Sequence, residues 1–300
     1  MRPVEAHRQA KETVEWKACT ELLAQDGSFD WAKSVPFRQD VWMLNFQFKP
    51  MRMLWVDLPG PNGRMERKLV WYMVYTVTNP GQAMHAVEEP DQTYKITRVD
   101  KPVTFVPIFT LEVHYRLQDD SGAFTMAYKD QVIPVAFAEI VRREDPKRRF
   151  LTTAEMAAYP NIGPQPAAAK DAPPPRPQGI GVGETVWGIA TWTGVDPRNV
   201  WFSVYVEGLT NAYQFEDDPV KYKAMLQGEK VSFRTLYHKV LKLNFWRVGA
   251  ESIADDRFIT EDQIRVGVLN HAVPRPTPGV AVDPSKPPLP DYQWVWRRAF

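Results

Sequence analysis

Cysteine is nearly missing from this chain. Cys19 is the one thiol in 300 residues, which excludes an intrachain disulfide framework and any metal cluster built from cysteines alone. It falls beside Leu22 and Leu23 in a stretch with helical spacing and reads as an inert, partly buried thiol rather than a nucleophile. Histidine is scarce as well: His7, His85, His114, His238 and His271 are scattered, and no two have ligand spacing on one expected element. Neither sign of charge is in excess. With 37 Lys plus Arg against 36 Asp plus Glu, the net charge of +1 gives no electrostatic reason to expect nucleic acid or an anionic lipid surface as a partner. No run approaches the roughly 20 apolar residues that cross a membrane as a helix. The opening MRPVEAHRQAKETVEW carries charges throughout, and no signal peptide is visible in the chain as it stands. The G-x-S-x-G, H-E-x-x-H, Walker and C-x-x-C motifs are all lacking. Gly179-Ile180-Gly181-Val182-Gly183 follows a proline-rich stretch instead of a strand, so it reads as a hinge and not as a phosphate cradle.

What the chain has in quantity is aromatic residues, 12% of the total with 11 Trp, and that balance favours sheet. Its organising stretch is Arg67 to Gly81, RKLVWYMVYTVTNPG. Leu69, Trp71, Met73, Tyr75 and Val77 occupy one alternating face and Val70, Tyr72, Val74, Thr76 and Thr78 the other. Both faces suit burial, which predicts a central strand that Asn79-Pro80-Gly81 stops.

Read in order, residues 1–35 form an N-terminal helix and connector, in which Val14, Ala18 and Leu22 make one stripe and Trp16 and Trp31 are candidate anchors. Residues 36–159 form a first β-domain. Its strands begin with the alternation of Trp42, Leu44, Phe46 and Phe48; they include Tyr94 to Val99 and a strand from Val103 to Leu117, and Asp119 to Gly122 turns into Phe124 to Tyr128. Val132 to Val141 fits strand or helix. Thr152-Thr153-Ala154-Glu155 has capping-box spacing and opens a short helix. Residues 160–183, rich in Pro, Gly and Ala, read as a linker. A second β-rich domain covers 184–270, with strands at Val186 to Trp192, Val200 to Thr210, Leu236 to Val248 and Asp262 to Leu269. Residues 271–300 are a proline-rich tail ending in an aromatic strand. The fold class expected is mainly β: two β-sandwich-like, immunoglobulin-like units with an N-terminal helix and short helices in connections.

Two phrases recur. Val70-Trp71-Tyr72 with Thr78-Asn79 echoes Val200-Trp201-Phe202 with Thr210-Asn211, and Leu44-Asn45-Phe46 echoes Leu243-Asn244-Phe245. A degenerate duplication and chance use of few strand-forming letters both explain this.

Candidate sites are few, and the sequence points to no catalytic residue, cofactor site or metal site. Glu216-Asp217-Asp218 offers carboxylates for calcium, although without the D-x-D-x-D-G register, and the other acidic pairs sit in turns. The basic runs Arg142-Arg143 and Lys147-Arg148-Arg149 straddle Glu144-Asp145 and read as a solvated face. Among the aromatics, Trp187, Trp192, Trp294 and Trp296 are expected to be the most exposed. Tyr292, Trp294 and Trp296 share one strand face and, with Trp16, are the candidate interaction residues; the terminal segment is expected to add to a sheet of this chain or of a neighbour.

KLVWYMVYTVTNPG, FSVYVEGLTNAYQF, VLKLNFWR and DYQWVWR resemble segments of uncharacterised bacterial proteins of the planctomycete type. The resemblance implies an exported, periplasmic or cell-envelope location and no known activity. The functional expectation is a non-catalytic structural or interaction protein, with protein partners or self-assembly. An envelope-polymer hydrolase and a carbohydrate-binding module are the alternatives, the latter with glycan as ligand.

Overall fold

The computed structural model describes residues 13–14, 40–49, 51–60, 62–90, 94–116, 123–160, 179–197, 199, 201–247, 264–266 and 292–298. The chain is mainly β. Its strands are β1 (Thr13–Val14), β2 (Asn45–Phe48), β3 (Arg52–Pro59), β4 (Met65–Thr78), β5 (Ala83–Glu88), β6 (Tyr94–Val99), β7 (Ile108–Arg116), β8 (Ala123–Lys129), β9 (Thr185–Thr193), β10 (Trp201–Glu207), β11 (Tyr213–Asp217), β12 (Arg234–Arg247), β13 (Ile264–Val266) and β14 (Tyr292–Arg298). The helices are α1 (Pro134–Glu144), α2 (Thr153–Ala158) and α3 (Pro219–Leu226).

Each of the two larger sheets is antiparallel and built around one long strand. β4 carries β2 and then β3 along one edge and β9 along the other, from Val70↔Thr193 to Thr78↔Thr185. β12 carries β10 and β11 along one edge and β13 and β14 along the other, and β7 and β8 extend the sheet beyond β10. β5 and β6 form a separate two-stranded ribbon.

β4 is buried on both faces, as its alternation predicts, because each face meets a different layer. Trp71, Met73, Tyr75 and Val77 point into a core shared with Phe109, Leu111, Phe202, Val204, Leu241 and Phe245 of the second sheet. Ring contacts cross between the sheets: Tyr75 to Phe109 at 4.8 Å, Trp71 edge-on to Phe202 at 5.1 Å and Phe48 to Phe245 at 5.9 Å. The opposite face, with Val70, Tyr72 and Val74, packs under Ala136 and Ile140 of α1. The ambiguous stretch from Val132 is thus a helix, begun by Pro134 in the first turn, where a missing N–H costs nothing. Gly188 of β9 lies where any Cβ would overlap the Tyr75 ring, so the close approach of β9 to β4 requires glycine there.

Strands from either side of residues 160–183 share both sheets: β9 lies on β4, and β10 lies on β7. The boundary read from composition therefore does not coincide with a boundary between sheets. At the end of that segment Ile180 bridges Val103 and Val182 bridges Asn79, which ties the glycine-rich run to strand ends. The expected N-terminal helix meets one correction: Thr13 and Val14, both β-branched, form β1 against Gln47 and Phe46. Trp16, Cys19 and the rest of 1–39 lie outside the described residues.

The Thr-Asn echoes perform matching tasks. The Asn79 side-chain amide donates to the carbonyls of Lys101 and Ile180, and the Asn211 side-chain amide donates to the backbone carbonyl of Asp40 while its oxygen accepts from the Trp42 backbone N–H. Asn79 directly follows β4 and Asn211 lies between β10 and β11, and both clamp a distant segment. The Leu-Asn-Phe echoes are not equivalent in register, since Phe46 pairs with Val77 near the end of β4 and Phe245 pairs with Phe202 near the start of β10.

Candidate functional site: a ribbon and helix projecting from the second sheet

The predicted interaction residues Tyr292, Trp294 and Trp296 lie on β14, which adds to β12 of the same chain from Leu243↔Tyr292 to Tyr237↔Arg298. Trp294 enters the shared core at 7% exposure, Tyr292 packs against it, and Trp296 lies outside with Lys239 over its ring at 4.5 Å. The four tryptophans expected at the surface are thus mostly covered: Trp192 is fully buried, and Trp187 sits between Phe150 and the Arg148 guanidinium, 4.1 Å from its ring. The alternation that puts Trp192 on the core face of β9 is shared with Ala190 and Val186, a parity visible in the sequence.

Charged groups that are buried hold the scaffold. Glu144, the last residue of α1, accepts from Lys49 Nζ at 2.7 Å, from Tyr72 OH at 2.9 Å and from Arg52 Nη1. Burial pushes its carboxyl up, but the Arg52 charge and the bonds from Lys49 and Tyr72 outweigh that and hold it below the usual range. Arg52 is nearly inaccessible, and its Nε and Nη2 have no partner among the described residues, so Glu144 is what compensates this cation there. On the outer face of the second sheet Arg297 pairs with Glu112 and stacks 4.2 Å over Tyr205, with Lys242 Nζ 5.5 Å from the same ring. Burial and then the nearby Glu112 carboxylate push the Tyr205 hydroxyl up to about 12. Asp40 joins His85 Nδ1 at 2.6 Å and Lys101 at the surface.

The carboxylates singled out for calcium are each engaged otherwise. Asp217 makes a bidentate pair with Arg234 at 2.7 and 2.8 Å, Asp218 caps α3 by accepting from the amides of Val220 and Lys221, and Glu216 accepts from Tyr237 OH at 3.0 Å. Two of them thus tie β11 to β12 and the third caps α3. Among the described residues no group of three or more His, Cys, Asp or Glu side chains could hold a metal ion. Nor is any described helix long and apolar enough to cross a membrane.

These same acids position the surface that sequence reading missed. β11 pairs with the first part of β12, from Asp217↔Arg234 to Tyr213↔His238, and every β11 residue is exposed. The ribbon therefore projects beyond the core with solvent on both faces. α3 follows without a buried residue. Phe215 is 52% exposed, Val220 75% and Leu226 66%, and Tyr213, Tyr222 and Leu236 are exposed as well. Arg234 lies 3.9 Å from the Phe215 ring and Tyr222 meets Phe233 edge-on at 5.1 Å, which orders the projection from within. The signal in the sequence was there: apolar residues at 213, 215, 220, 222 and 226 sit in an otherwise charged run with no stripe long enough to reach a core.

No family model matches the chain, and no curated protein and no solved structure matches it at a significant level.

Proposed function

We propose that this protein is a non-catalytic structural or interaction protein of a cell-envelope assembly, and that the β11–α3 projection is its contact surface for another protein chain. One observation carries the reading: large apolar side chains, Phe215, Val220 and Leu226 foremost, are exposed on two elements that have no buried residue. Burying each is worth about 1.5–3 kcal/mol, and large apolar side chains exposed together on one projection point to a protein contact. The resemblance to exported bacterial proteins supports the envelope location. The scaffold belongs to the proposal too, as a β-sandwich of immunoglobulin-like type; the two antiparallel sheets facing each other across the aromatic core support it. A photo-crosslinking side chain placed at Phe215 or Leu226, in cells that make the protein, tests the reading. Discrete adducts are expected from both positions and not from Met65, which is equally exposed at the far end of β4. Adducts at neither position would sink it.

A further inference from the structure

We propose that the projecting ribbon binds a second copy of this chain, β11 pairing antiparallel with β11 about a two-fold axis at Phe215. The proposal rests on the interaction reading above and names the partner of that surface.

The ribbon is incomplete as it stands. Over residues 234–236 of β12 the ribbon is two-stranded among the described residues and β11 is exposed throughout, an arrangement marginal in water, and a third strand beside β11 supplies main-chain hydrogen bonds to its open edge. Along one edge of β12 the described residues place β11, and among them β11 pairs with β12 alone. Its outer edge is thus where a strand adds.

Charge decides which strand. β11 reads Tyr213-Gln214-Phe215-Glu216-Asp217. In an antiparallel pair centred on Phe215, the two Phe215 rings face each other, each Gln214 faces Glu216 of the other copy, and each Tyr213 faces Asp217 of the other copy. The amide of Gln214 can donate to the Glu216 carboxylate, and Tyr213 OH can donate toward the Asp217–Arg234 pair. No acid faces an acid. Centring on Glu216 or Asp217 would oppose like charges, and centring on Tyr213 or Gln214 would shorten the ladder. Opposite positions share a sheet face about an axis perpendicular to the ribbon, so Arg234, already stacked on Phe215, flanks the paired rings from each side. An isologous contact demands this kind of self-complementarity.

Position 214 offers a test with opposite signs. Gln214→Lys places an ammonium opposite Glu216 twice per dimer and tightens association; Gln214→Glu places a carboxylate there and loosens it, each by about tenfold in Kd. Residue 214 is exposed, and a folding defect would not move the two variants in opposite directions. Sedimentation velocity of the full chain at about 1 to 100 µM reads the effect, a range that brackets micromolar association. A complementary readout uses the Cys19→Ala, Phe215→Cys chain, in which facing Cβ atoms about 4.5 Å apart support an oxidised dimer. Wild-type dimers, opposite shifts at 214 and that crosslink are the expected results. A wild type that stays a single chain throughout, or shifts of the same sign, overturns self-pairing. If the wild type is a single chain while Phe215 crosslinks in cells to a different polypeptide, self-pairing falls and the interaction reading stands; if no adduct forms either, both fall.

Discussion

Glu144 shows how few groups decide the stability of the layer between α1 and β4. Arg52 is buried with one compensating anion, so Glu144→Gln leaves a cation in low dielectric and should cost about 3–5 kcal/mol, read as a lower denaturant midpoint. Replacing both residues, Arg52→Met with Glu144→Gln, should cost less than the single change, because the buried charge leaves with its partner. The pH dependence follows from the direction of the shift. A carboxyl held below its usual value adds stability above that value and loses it as pH falls through the folded-state value, so the wild-type thermal midpoint should drop below about pH 4 more steeply than that of Glu144→Gln. Equal slopes would show that Glu144 is not the coupled group. The sequence could not show this cluster: Lys49, Arg52, Tyr72 and Glu144 meet only after β3, β4 and α1 pack, and Glu144-Asp145 in the chain reads as part of a solvated charge run.

Among the elements, β4 was legible because each of its faces is apolar at period 2, and the short helix at Thr153 was legible because its capping box is local: Thr152 Oγ1 accepts from the Glu155 amide at 3.2 Å, and Glu155 Oε2 accepts from the Thr152 amide at 2.9 Å. The partner of each strand was not legible. β9 finds β4 across a proline-rich stretch, and nothing local to Thr185–Thr193 names its neighbour. β14 is the intermediate case: three aromatics at period 2 announced a docking strand, while the choice of β12 needed the fold. Because Trp294 is buried in the shared core, Trp294→Ala should cost about 3–5 kcal/mol, whereas Trp296→Ala, which removes an exposed ring lying against Lys239, should cost under about 1 kcal/mol. Thermal or denaturant midpoints of the two variants check the contrast, and equal losses would contradict the placement of β14. Gly188→Ala should also destabilise the chain by more than 1 kcal/mol, since the added methyl meets the buried Tyr75 ring.

In the whole molecule, the two sheets, each built on one long strand, close a single aromatic core and leave the β11–α3 projection outside it. The core takes Trp192 and Trp294, which the sequence alone suggests are exposed, and the projection carries apolar residues set in a charged run. That inversion has a physical cause. Aromatic residues at strand parity beside Leu and Val have a core to enter, but Phe215, Val220 and Leu226 lie on elements attached to the unburied first part of β12, beyond the core. On the proposed reading this protein should not occur alone in its cell. The most direct measurement is the mass of the native particle, isolated at natural abundance without overproduction. The account predicts a particle well above the 34.5 kDa of one chain, which Phe215→Asp reduces while the thermal midpoint holds. A native particle of single-chain mass, unchanged by Phe215→Asp, would contradict it.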